Sequence, residues 1–216
     1  TEFAGGNLYN LIYSRKGNKK TRKWKDKRNS TSDVAPVMRL SFSEKIDLAI
    51  DVALGMGALH TLNGPVAHAD IQAKQFLVDE ETKRIKINDF NRCRFMPTNL
   101  NPGHEGEFCT FQIPSAPGLF RSPEEYKKTH LTERIDIYSM AHIFYGILHG
   151  RKSTDLVVKR GNKVSFKAIV NTGELSKAET AFAILTEEMF REDPVERPTA
   201  SQIIQELKAI KMLITA

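Results

Sequence analysis

Two aspartates nineteen positions apart, Asp70 and Asp89, carry the chemistry that this chain offers most plainly. The first lies in His68-Ala69-Asp70-Ile71-Gln72-Ala73-Lys74-Gln75-Phe76-Leu77-Val78, the second in Asn88-Asp89-Phe90-Asn91. Between them Ile85-Lys86-Ile87 alternates apolar and charged residues after the polar turn Asp79-Glu80-Glu81-Thr82-Lys83. That pattern predicts a β-hairpin, with strands near 76–78 and 85–87. Carboxylates on either side of a tight hairpin suit phosphoryl transfer, in which one Asp receives a hydroxyl proton and the other holds a metal ion.

The elements that must position this hairpin are mostly helical. Ser41-Phe42-Ser43-Glu44 has the spacing of a capping box and opens a long helix. Its apolar stripe runs Ile46, Ala49, Ile50, Ala53, Met56 and Leu59, and Asn63-Gly64-Pro65 stops it. Asn7 is placed to cap a short helix reaching Tyr13. Residues 136–148 are apolar nearly all round, as in a helix buried on most sides. Two amphipathic helices, 177–191 and 199–213, follow, separated by Asp193-Pro194, with Thr199 as the second cap. Residues 92–121 show no periodicity and hold four prolines, the mark of a long functional or mobile segment. The expected fold class is α+β, predominantly α, with one small hairpin carrying the carboxylates.

Composition narrows the class further. The chain has 216 residues, 40% of them hydrophobic, enough for a substantial core. No apolar run is long enough to span a bilayer. Cys93 and Cys109 cannot make a disulfide framework, so an intracellular, most simply cytoplasmic, setting is expected. The net charge of +6 is local: nine Lys/Arg and one Asp fall between Arg15 and Arg28, which leaves about −2 for the remainder. The stretch 14–33 reads as a solvated, mobile basic loop insert rather than a nucleic-acid or anionic-lipid site. Trp24 within it is the feature that favours a binding role, and residues 15–28 would contact an acidic partner.

The two aspartate motifs resemble the catalytic and metal-binding loops of eukaryotic protein kinases, His-Arg-Asp…Asn and Asp-Phe-Gly. The resemblance runs along the chain. Thr1-Glu2-Phe3-Ala4-Gly5-Gly6-Asn7-Leu8 looks like the hinge between the lobes, and Ser122-Pro123-Glu124 like the Ala-Pro-Glu that closes the activation segment. Asp136-Ile137-Tyr138-Ser139 looks like the start of the buried central helix. Asp193-Pro194-Val195-Glu196-Arg197-Pro198 looks like the late motif with its arginine. The likeness is to hinge and C-terminal lobe, spanning 1–216 with an activation segment at 89–124. The glycine-rich loop, its following lysine and the helix C glutamate would lie before Thr1.

The resemblance implies a role for each of these residues. Asp70 is the candidate catalytic base, and Asp89 holds Mg²⁺ and with it the nucleotide. Gln75 stands at the second metal ligand. Glu2, Ala4 and Leu77 line the adenine, Leu77 as its floor. Lys74 stands where tyrosine kinases carry an arginine, so it is the candidate cation for the γ-phosphate, while Gln72 replaces the lysine of serine/threonine kinases. Ala69 replaces the arginine that reads a phosphorylated loop, so the usual phosphate switch lacks its partner. Asn91 replaces the glycine of Asp-Phe-Gly and is expected to take the positive φ of that turn. Glu124 and Arg197 correspond to a buried ion pair, Asp136 to an acceptor for the backbone near His68, and His68 and Phe90 to a stacked column.

The function implied is transfer of the ATP γ-phosphate to a protein Ser/Thr or Tyr hydroxyl, with ATP and Mg²⁺ as cofactors and a protein as substrate. The alternative is a pseudokinase, an ATP-binding or scaffold module without turnover. Retention of both aspartates favours the enzyme. Loss of the Asn, the Lys and the Arg together pulls the other way.

Overall fold

The computed structural model describes residues 6–13, 40–79, 81–114, 118–127, 129–153 and 175–215. Glu2, Ala4 and the basic stretch 14–33 lie outside the described residues, and so does the expectation attached to each.

Three helix starts follow the caps read from the sequence, at Asn7, Ser41 and Thr199. Asn7 accepts the Asn10 amide at 3.2 Å and opens α1, Leu8–Ile12. Ser41 opens α2, Phe42–His60: its hydroxyl accepts the Glu44 amide while the Glu44 carboxylate accepts the Ser41 amide at 2.7 Å. This reciprocal box satisfies two donors that no helical carbonyl can reach. Ser176 and Glu179 repeat it at the start of α5, Lys177–Met189. Thr199 accepts the Gln202 amide at 3.1 Å ahead of α6, Ala200–Thr215.

The centre of the molecule is α4, Arg134–His149, in which every residue from Ile135 to Leu148 is buried. It ends at Gly150, whose left-handed backbone (φ 64) lets its N–H return to the Gly146 carbonyl at 2.8 Å. The α2 residues facing the core are Ile46, Ala49, Val52, Ala53, Met56 and Gly57. Val52 and Gly57 thus join the expected stripe, while Ile50 and Leu59 are only half-buried. Helix α5 stops two residues before the expected end. There Phe190 leaves the helix and packs edge-on against Tyr138 and His142 of α4, at 5.2 and 4.9 Å between ring centres.

The expected hairpin is present as β2, Phe76–Val78, and β3, Ile85–Ile87, antiparallel with Phe76 opposite Ile87 and Val78 opposite Ile85. A second ladder escapes the sequence reading. Val66–Ala67 (β1) pairs with Arg94–Phe95 (β4), and bridges join Thr98 to Phe108 and Phe111 to Leu131. The stretch 92–121 is therefore partly ordered by backbone pairing, not unpatterned. Strands of two residues are too short to show a period of two. A short helix α3, Pro123–Lys127, closes this stretch.

Candidate active site

The loop bearing Asp70 hangs from α4. The buried Asp136 carboxylate accepts the amides of His68 at 2.6 Å and Ala69 at 2.9 Å, as expected, and also lies 3.2 Å from the His60 ring. A carboxylate this deep needs such donors to offset its lost hydration. Ala69 is left-handed (φ 60), a conformation that costs a residue with a Cβ about 1–2 kcal/mol. Both sides of Ala69 are held, since its carbonyl accepts from Arg121 Nη1 at 3.1 Å. The His68 ring is buried, lies 3.0 Å from the Asn88 carbonyl and meets the Phe90 ring at 5.6 Å. It is a packed histidine. Phe90 itself is half exposed.

The hairpin brings the two aspartates together through one side chain. Gln75 Nε2 donates to Asp89 Oδ2 at 3.0 Å and to Asp70 Oδ2 at 3.3 Å. Gln72 Nε2 donates to Asp70 Oδ1 at 3.1 Å, and Asn91 Nδ2 to Asp89 Oδ1 at 2.7 Å. The left-handed residue of this turn is Asp89 (φ 66), and Asn91 lies within the 3-10 turn Phe90–Arg92. The expected positive φ thus falls two residues earlier, on a side-chain type that tolerates it. Asn91 spends its amide on the neighbouring carboxylate instead. Lys74 is exposed in the 3-10 turn before β2. Leu77 is half-buried on β2, bridged to Asn7.

The donor set fits a hard divalent cation. Asp89 offers a carboxylate, and the Gln75 and Asn91 carboxamides beside it each carry a carbonyl oxygen. Mg²⁺ takes oxygen ligands and is usually held by one or two carboxylates together with substrate phosphates. Among the described residues no three His, Cys, Asp or Glu side chains converge. A cation at Asp89 would therefore lean on carboxamide and substrate oxygens.

Arg121 is the residue that sequence reasoning passed over. It is buried just before α3, and its Nη2 lies 3.3 Å from Asp70 Oδ1. Its Nη1 also donates to Glu125 Oε1 at 2.8 Å. The other Glu125 oxygen accepts the amide and hydroxyl of Ser122 at 2.8 and 2.9 Å. Burial pushes the Glu125 carboxyl up, against Arg121 and Ser122, which pull it down. The available signal was a cation beside Ser122-Pro123-Glu124 with a Glu four positions on, but its partner Asp70 lies 51 positions away. Beside it, Glu124 and Arg197 form the expected bidentate pair, Nη1–Oε1 at 2.6 Å and Nη2–Oε2 at 2.8 Å, both side chains buried.

A cavity of 160 Å³ adjoins the Asp70 loop, between Gln72 and Ala73 on one side and Tyr9, Phe120 and Lys152 on the other. Lys152 Nζ lies 5.1 Å from the Tyr9 ring centre, and among the described residues no carboxylate lines the cavity.

The family described as "Protein kinase domain" matches residues 27–207 of this sequence. The chain belongs to the protein kinase family. Its relatives include a "Probable serine/threonine-protein kinase" of Dictyostelium discoideum, 29% identical over 184 residues, 84% of this chain and 16% of that protein. "Calmodulin-binding receptor-like cytoplasmic kinase 1" of Arabidopsis thaliana is 30% identical over 130 residues, 60% of this chain and 26% of the relative. "PTI1-like tyrosine-protein kinase 1" of the same plant is 28% identical over 165 residues, 75% of this chain and 40% of the relative. The kinase chain thus spans well under half the length of these relatives. No helix among its described residues is long and apolar enough to cross a membrane.

Proposed function

We propose that this kinase-family chain carries the catalytic and metal-binding loops of an active protein kinase, moving the ATP γ-phosphate to a protein hydroxyl. The observation that carries the reading is the meeting of Asp70 and Asp89 across one carboxamide, with the Asp70 loop held at the His68 and Ala69 amides by Asp136. In this reading Asp70 accepts the hydroxyl proton and aims the oxygen, and Asp89 with Gln75 holds Mg²⁺. The ion, when bound, neutralises charge on the phosphate oxygens. Lys74, exposed beside the loop, is free to turn toward an incoming phosphate. Leu77, Glu2 and Ala4 are assigned to the adenine. The cavity beside Gln72 offers room for a side chain of the protein substrate, with Lys152 disfavouring a basic one. An acidic partner for residues 15–28 and an intracellular setting belong to the same proposal.

A second reading has its own support. Amides and one guanidinium cover the carboxylate oxygens of both aspartates. A scaffold that has given up turnover would tolerate that covering. The test uses protein expressed from the complete reading frame, supplied with ATP and Mg²⁺ and a mixed peptide library. Transfer that disappears in Asp70→Asn and Asp89→Ala supports the enzyme. Nucleotide binding without transfer above the Asp70→Asn background replaces it with the scaffold.

A further inference from the structure

Three positions bear on how the Asp70 loop is fixed, and two of them are uncharged. Ala69 stands where a kinase arginine reads a loop phosphate, and Gln72 where a lysine is usual. Arg121 is the third, 6% exposed, with bonds to the Ala69 carbonyl, to Asp70 Oδ1 and to Glu125. Glu125 is itself anchored on both oxygens, so the guanidinium is held from the α3 side and presented to the loop. Its planar fork reaches two acceptors on the loop at once, which an ammonium does poorly.

We propose that Arg121 is a positioning residue that fixes Asp70 and the left-handed Ala69 peptide without any phosphate, a permanent ionic tie where related kinases use a switchable one. The inference rests on the reading of Asp70 as the proton acceptor. Two consequences separate it from a merely structural role. The tie acts on the reacting geometry and not on nucleotide binding, so kcat should move and the KM for ATP should not. It also requires a planar cation, so lysine should restore only part of the effect.

The test measures transfer to peptide and amide exchange at 68–72 in protein from the complete reading frame. Because Arg121→Ala alone strands the buried Glu125 carboxylate, the diagnostic variant is the double change Arg121→Met with Glu125→Leu, beside Arg121→Lys. The expected result is a fall in kcat of roughly 10–100-fold in the double variant, the scale of a slackened reacting geometry. KM for ATP should stay within about twofold. Arg121→Lys should lie between the two, and exchange at 68–72 should accelerate in the double variant. Wild-type activity should survive treatment with a protein phosphatase. Unchanged kcat and exchange in the double variant would overturn the proposal, and so would loss of wild-type activity on dephosphorylation. If the wild type shows no Asp70-dependent transfer, the kinase reading fails by itself. Exchange at 68–72 then decides the tie alone: acceleration upholds it, and no change removes it.

Discussion

Asp89 accepts from two carboxamides, Gln75 at 3.0 Å and Asn91 at 2.7 Å, and both stand where the family pattern has another residue. Gln75 is long enough to touch Asp70 as well, at 3.3 Å. Each bond ties up a carboxylate lone pair that a hydroxyl or a cation would otherwise use. Gln75→Asn shortens the side chain by one methylene, so it cannot reach both aspartates. Releasing one bond from Asp70 is worth about 1 kcal/mol, and phosphotransfer should rise by about fivefold. Initial rates at saturating ATP and Mg²⁺ check this, and a rate at or below wild type would count against it. Lys74→Ala should lower the rate in the same assay.

On the scale of elements, α4 holds a histidine that titrates far from its ordinary range. Burial lowers the His142 pKa to about 3, and its Nδ1 lies 2.6 Å from the Ser153 hydroxyl. The unfolded chain takes up this proton near pH 6.5, whereas the folded chain refuses it until about pH 3. Between those values the unfolded state binds the extra proton. Stability from this group is therefore complete above pH 6.5 and falls by about 1.4 kcal/mol per unit as pH drops below it. Urea midpoints at pH 6.5 and pH 5 should show that slope in wild type and a shallower one in His142→Asn. Equal slopes would refute the assignment. This element was legible in the sequence because its apolar residues leave no polar face. The start of α2 was legible for a local reason too, since a Ser and a Glu three positions apart write the cap in four residues, whereas the same box at Ser176 and Glu179 before α5 went unread. What escaped has meaning only through distant partners. β1 and β4 are two residues each, and Arg121 is an ordinary basic residue until Asp70 is folded against it.

For the whole molecule, the long-range anchor is Arg197. Beside the bidentate pair with Glu124, it donates to the carbonyls of Arg134, Arg191 and Glu192, at 2.9, 2.8 and 3.2 Å. Its guanidinium carbon also lies 5.0 Å from the Tyr138 ring centre. One side chain thus joins α3, α4 and the approach to α6. Arg197→Ala removes the cation and leaves a buried carboxylate with three orphaned carbonyls. The cost should be roughly 3–5 kcal/mol, a large part of a domain's usual stability. Denaturant unfolding of the wild type and the variant at pH 7 measures it, and a loss below about 1 kcal/mol would show that the pair is not desolvated as described. Family membership was readable because the motifs keep their order along the chain. Activity was not, because it turns on the bonds that Gln75, Asn91 and Arg121 make in three dimensions.

Helix α2 lies along α6, and the contact is close. A methyl group on Gly57 would come within 2.9 Å of Ile204, and Lys211 pairs with Asp47 across the same seam. The two partners are separated by about 150 residues, so closing that loop costs several kcal/mol of chain entropy before any contact repays it. During synthesis α2 is complete long before α6 emerges. At 5–20 residues per second, the side of α2 that packs on α6 waits roughly 7–30 s for it. The nascent chain is therefore open to chaperones and to aggregation along that side of α2 until α6 docks.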